Sequence, residues 1–163
     1  MRETKFRGKK LGTGEWVYGD LQYVPKERTA SKAAAVAYIS NLNENNIIQT
    51  FVVDPKTVGQ FTGLKDSTKW EQLKPEEQKA WLDSGKTKKQ WNGKEKWEAD
   101  LVKLDGKGPI CEIQWQQKYA RWICYWDDLE NGPSYTFLLP DKDKVIGNVH
   151  DNPELIRNEN TKP

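Results

Sequence analysis

WEADLVKLDGKGPICEIQW, residues Trp97–Trp115, is the stretch that decides the fold of this chain. Two strand-like runs, Trp97–Leu104 and Pro109–Trp115, flank Asp105-Gly106. That dipeptide suits a hairpin turn, whose central residues need positive φ. Downstream, Tyr119–Trp126 and Tyr135–Leu139 flank a loop with Asn131-Gly132, and Lys144–Val149 gives a fifth strand. Asn152-Pro153-Glu154 opens a short terminal helix, and the polar Arg157–Pro163 is expected to fray. Five short antiparallel strands in so few residues predict a small barrel or roll, because closure removes exposed edges.

Working back toward the N-terminus, Lys5–Lys10 and Glu15–Val24 flank Leu11-Gly12-Thr13-Gly14, a hairpin signal. Val36–Asn41 and Ile47–Val53 flank the turn cluster Asn43-Glu44-Asn45-Asn46. The Ala-rich run Ala33–Ala37 suits a helix by propensity, but Val36, Tyr38 and Ile39 with the turn cluster beyond them assign it to a strand. VDPKTVGQFTGLKD, Val53–Asp66, predicts one helical turn with Asp54 as N-cap, Pro55 as its first residue, Thr57 inside it and Gly59 as a left-handed terminator. Gln60-Phe61-Thr62 then re-enters the sheet, and Gly63 turns the chain away toward Asp66. Residues 67–92 change character: Thr68–Glu71 and Thr87–Gln90 have capping-box form, and Pro75-Glu76-Glu77 opens a helix that stops at Gly85. The expected class is mainly β with an α insertion. It divides into an N-terminal hairpin region (1–66), a helical insertion (67–92) and a C-terminal five-stranded barrel (93–163), together one compact unit.

Val53–Asp66, with Gly14–Leu21 (GEWVYGDL) and Val145–Asn148 (VIGN), resembles the YopX family of bacteriophage and prophage proteins. The resemblance implies a β-rich fold with an SH3-like barrel component, multimeric assembly and no established activity. In it, Asp54, Pro55, Thr57, Gly59, Gln60, Thr62, Gly63 and Asp66 form the family motif, which the residues themselves explain as structural. Ala99 departs from it, standing where a glycine is expected.

The chain has 163 residues, 36% hydrophobic and 31% charged, with eight Trp, six Tyr and four Phe. A core can be built from few aromatics, each burying roughly 150–250 Å². The net charge of +2 gives no case for a general polyanion binder. Charge is nevertheless uneven. Met1–Lys10 and Ser84–Lys96 each carry five bases against one acid, whereas Asp127–Pro163 carries eight acids against four bases. Such asymmetry suits head-to-tail self-association as well as nucleic acid. The apolar runs fall short of a membrane span and the N-terminus lacks an apolar signal core, so the expected location is the cytoplasm of a bacterial host.

A search for chemistry returns no catalytic, metal or cofactor residues. Asp83–Thr87 resembles the tail of a phosphate loop, but position 80 is Ala and the lead-in is helical. His150 is the sole histidine and has no evident partner. Cys111 and Cys124 lie in strands without metal-ligand spacing, and the pairs Asp127/Asp128 and Asp141/Asp143 suit acidic turns. The expected protein is not an enzyme.

Two surfaces remain. Trp122, Ile123, Tyr125 and Trp126 make one strand apolar on both faces, which predicts cover on both sides, by the insertion or by another subunit. Lys86, Lys88, Lys89, Trp91, Lys94, Lys96 and Trp97 interleave charge with aromatic faces, as a single-stranded nucleic-acid surface requires. The leading expectation is a homo-oligomeric binding module acting on a host protein (a replication, transcription or defence factor). The alternative is a nucleic-acid- or nucleotide-binding β-barrel using the Lys/Trp strip.

Overall fold

The computed structural model describes residues 4–29, 35–128, 131–139 and 142–159. The chain is mainly β and divides into two compact units, Met1–Gly63 and Leu64–Pro163.

In the first unit, β1 (Phe6–Lys9), β2 (Trp16–Val24), β3 (Val36–Leu42) and β4 (Ile48–Val53) form an antiparallel meander, and β5 (Gly59–Lys65) returns to pair with β1. Alternation selects the core: Val17, Ala37, Ile39 and Val53 are buried together, with Phe6, Leu21, Phe51 and Val58 packed around them. Burying one such aliphatic side chain contributes about 1.5–3 kcal/mol. Gly8 lets β1 lie close against this core, since a Cβ there would come within 3.0 Å of the Val53 side chain and 3.2 Å of Ile39. A single bridge between Lys10 and Val53, with Leu11 N–H on the Val52 carbonyl at 3.0 Å, draws the end of β4 back toward β1.

The turn between β4 and β5 is the single turn expected, a 3-10 helix at Pro55–Thr57. Asp54 caps it, accepting from Lys56 N–H at 3.0 Å. Thr57 is buried; its hydroxyl donates to the Asp54 carbonyl and accepts from Lys9 N–H, each at 2.8 Å. Gly59 differs from expectation. It is the first residue of β5, paired with Arg7, and Val58 before it is already extended, so the turn ends without a left-handed residue. Gln60 pairs with Phe6 and Thr62 is buried. The left-handed glycine of this motif is Gly63, at φ 84°. Of the Ala-rich run, residues 33 and 34 lie outside the described residues; the strand starts at Val36.

In the second unit, 3-10 turns at Trp70–Gln72 and Lys88–Gln90 flank α1 (Pro75–Asp83). The first box sits one residue later than expected: Lys69 N–H donates to Gln72 Oε1. After β6 (Glu95–Trp97) comes a second meander, β7 (Asp100–Lys103), β8 (Ile110–Gln116), β9 (Arg121–Asp128) and β10 (Gly132–Phe137). β11 (Lys144–Asn148) returns to pair with β7, and α2 (Glu154–Glu159) packs against β8. Asp105 (φ 48°) and Gly106 (φ 68°) supply the expected left-handed turn between β7 and β8. Val102, Cys111, Ile113, Cys124 and Leu138 form the core, with Leu64, Leu104, Trp122, Trp126 and Val145 packed on it.

The expected C-terminal barrel is instead an open five-stranded sheet, order β10-β9-β8-β7-β11. Closure would need β10 beside β11, but the chain crosses from one edge to the other before β11 forms. Buried side chains hold that crossing. Asp143 Oδ2 accepts from Leu139 N–H at 2.9 Å, Lys96 Nζ donates to the Leu139 carbonyl, and Leu138 enters the core. Both units thus share one strand order, a four-stranded meander whose fifth strand returns to the first. The sequence echo between Trp16–Leu21 and Trp97–Leu101 does not reflect this, since it aligns the second strand of one meander with the first of the other.

Candidate functional site

The Lys/Trp strip does not form one surface. Trp91 packs edge-on against Trp81 and Trp70, with ring centroids 5.0 and 6.1 Å away, and its indole N–H donates to the Thr68 carbonyl at 2.7 Å. Lys86 Nζ lies 4.4 Å from the centre of the Trp81 ring. Lys88 pairs with Glu71 at 2.9 Å and Lys94 with Glu77 at 2.7 Å. The hydrogen bond from Lys88 holds the Glu71 carboxyl below its ordinary range. Burial pushes Glu77 up, but the Lys94 hydrogen bond, the Lys74 amide and their charges together bring it lower. Lys96 and Trp97 are buried, and only Lys89 stays exposed with no such neighbour among the described residues. A hollow of about 310 Å³ lies among Asp66, Thr68, Trp70, Glu71, Lys88, Trp91 and Gly93, with the Lys88–Glu71 pair on its wall.

Asp66, the last residue of the Val53–Asp66 stretch, is 3% exposed and structural. Its carboxylate accepts from Thr68 N–H (2.9 Å), Thr68 Oγ1 (2.8 Å), Lys94 N–H (2.8 Å) and Val145 N–H (3.1 Å). Gly93 must be glycine, because a Cβ there would overlap the Asp66 carbonyl. Asn148 closes the Val-Ile-Gly-Asn block by accepting from the amides of His150 and Asp151, each at 2.9 Å, which makes His150 part of a turn. The buried Cys124 thiol is pushed up to about 12, by burial first and then by the Asp143 carboxylate. It is therefore a poor nucleophile at neutral pH. Asp143 is a buried loop pin, and Asp141 lies outside the described residues. Among the described residues no group of three His, Cys, Asp or Glu is placed to hold a metal ion.

The doubly apolar strand β9 separates into two different faces. Trp122, Cys124 and Trp126 face the core, where Trp122 meets Trp115 edge-on at 5.0 Å. Among the described residues its buried indole Nε1 has no hydrogen-bond partner. On the other face lie Arg121, Ile123, Tyr125 and Asp127, beside Phe137 (opposite Ile123), Tyr135 (opposite Tyr125) and Pro133 (opposite Asp127). Ile123 is buried and Tyr125 half-buried, but Tyr119, Tyr135 and Phe137 are 54%, 54% and 60% exposed.

The Arg121 guanidinium sits over those three rings, 4.8 Å from Tyr119, 4.7 Å from Phe137 and 5.8 Å from Tyr135. Its Nε donates to Gln116 Oε1 at 2.7 Å, which fixes the head group. Tyr125 donates its hydroxyl to Asp127 at 2.7 Å, and this bond raises the phenol above its ordinary range. Sequence reasoning found the strand but missed Tyr119, Arg121, Tyr135 and Phe137. The signal was present in the spacing of Tyr135 and Phe137 at i and i+2, which puts both on one face.

Residues 88–157 match the family model described as YopX protein, and over this stretch the chain is YopX-like. The stretch contains the whole second sheet. Of the three sequence blocks that carried the resemblance, Val145–Asn148 lies within it, while Gly14–Leu21 and Val53–Asp66 lie outside. No curated protein matches the chain.

Proposed function

We propose that the chain is a non-catalytic, self-associating binding module of phage or prophage origin that acts on a host protein in the bacterial cytoplasm. The observation that carries this reading is the Arg121 guanidinium held among three exposed aromatic rings, Tyr135 and Phe137 on β10 and Tyr119 in the turn before β9. Tyr and Arg are the residue types most often found as binding anchors, and a pre-fixed guanidinium loses little freedom on docking. The host-protein step, with a replication, transcription or defence factor as partner, rests on the resemblance alone. The SH3-like character belongs to the same reading. Its support is the shared strand order, together with the single 3-10 turn before the returning strand of the first unit.

Nucleic-acid binding through Lys86–Trp97 has less support, because carboxylates already neutralise Lys88 and Lys94 and the core encloses Lys96. The test of the leading reading is light scattering on the purified chain. A particle mass at a multiple of 18.9 kDa is expected; a monomer at every concentration up to the millimolar range would remove it.

A further inference from the structure

The outer face of β9 and β10 is ordered by charge as well as by apolarity. Arg121 stands at the start of β9 and Lys118 in the turn before it, with Lys118 Nζ 5.2 Å from the Tyr119 ring. Asp127 stands near the other end of the strand, and Glu112 lies opposite Tyr125 on β8. Ile123 with Phe137 and Tyr125 with Tyr135 occupy the middle. Arg121 and Asp127 are six residues apart on one strand, hence about 20 Å. Among the described residues neither has an ion-pair partner. The face therefore reads cation, aromatic centre, anion.

A surface with that order is complementary to itself after a half-turn. An isologous contact places residue i against residue j and j against i, so the cation of each copy meets the anion of the other and the rings meet at the axis. We infer that the occupant of this face is a second copy of the chain, docked antiparallel about a two-fold axis, with Arg121 of each copy facing Asp127 of the other. The inference rests on the self-association proposed above and names its surface and geometry.

Charge reversal tests it. Arg121→Glu and Asp127→Lys, each alone, put like charges together and should weaken self-association about tenfold or more in light-scattering titrations. An equimolar mixture of the two variants should restore it, because both contacts of the mixed pair are then attractive. The double variant R121E/D127K should restore it as well. Circular dichroism and melting temperature check that each variant is folded. Should a reversal prevent folding, Arg121→Gln and Asp127→Asn serve in its place, and self-association of the unaltered chain should also weaken between 0.05 and about 1 M salt. If the unaltered chain associates but the reversals leave it unchanged, or the mixture fails to restore it, this geometry is wrong while self-association stands. A chain that never associates overturns both.

Discussion

The Asp66 carboxylate accepts a hydrogen bond from the backbone amide of Val145, 79 residues further along the chain, at 3.1 Å. The same oxygen takes the Thr68 hydroxyl, and its twin takes the amides of Thr68 and Lys94. One buried side chain thus ties the exit of β5, the strip before β6 and the start of β11. This gives the aspartate that ends the Val53–Asp66 stretch a structural role.

Removal of that carboxylate takes the acceptor from the buried amide of Thr68 and from the partly buried amides of Lys94 and Val145. Asp66→Ala is expected to cost about 3 kcal/mol or more, since each unsatisfied buried donor costs roughly 1–3 kcal/mol. Asp66→Asn, which keeps one acceptor oxygen, should cost less. Urea unfolding followed by tryptophan fluorescence gives both values. Equal stability of Asp66→Ala and the unaltered chain would show that the carboxylate does not anchor β11.

Ala99 adopts φ 65°, donates its amide to the Ile113 carbonyl at 2.9 Å and accepts from Val149 N–H at 3.0 Å. Left-handed backbone costs an alanine roughly 1–2 kcal/mol. Ala99→Gly should therefore stabilise the chain by about 1 kcal/mol, after the greater freedom of glycine in the unfolded state is counted. A melting temperature about 2–4 °C higher is the expected reading. Ala99 is thus a strained residue, and an unchanged or lower melting temperature would argue against this.

Cys124 gives a pH dependence. Its folded thiol, near 12, lies above its ordinary value of 9.0, so the folded state holds this proton more tightly than the unfolded chain does. Its contribution is present in full below pH 9 and is lost as pH rises from there toward 12, by up to about 1.4 kcal/mol per unit. Native protein at pH 8 should alkylate at Cys124 far more slowly than denatured protein, as mass spectrometry of the trapped thiols would show. Comparable rates in both states would place the thiol at the surface.

Substituting Lys88, Lys89 and Lys94 by Gln should have little effect on binding to single-stranded oligonucleotides. The change removes the partners of Glu71 and Glu77, so its main effect should be a small loss in stability, as expected for ion pairs at the surface. Strong, salt-dependent oligonucleotide binding that vanishes in this variant would revive the nucleic-acid reading.

Much of the fold was legible because alternation and turn chemistry are local. Asp105-Gly106 and the Asn43 turn announced their hairpins and the Asp54 cap announced its turn; strands lie within each run expected from residue 97 onward, but a turn at Glu98-Ala99 splits the first of them, so that Trp97 ends β6 and β7 begins at Asp100. Strand order was not legible in the same way. Whether β11 closes on β10 or returns to β7 depends on Asp143, Lys96 and Leu138 holding a crossing, and nothing local marks those residues as buried. Lys96 looked like one more cation in a basic run; its position beside a buried Trp in a strand was the only hint. At β9 the apolar pattern was visible on both faces. Which face meets the core depends on the register with β8, so Trp122 and Trp126 went inward and the exposed anchors came from β10 and the turn before β9.

The proposal stands or falls on whether the aromatic face around Arg121 joins one copy of the chain to another. Sedimentation velocity of the unaltered chain beside a Tyr135→Ala/Phe137→Ala variant decides it, with circular dichroism to show that both are folded. The unaltered chain should sediment as an assembly above 18.9 kDa and the variant as a monomer. A folded variant that sediments with the same mass as the unaltered chain would overturn the proposal.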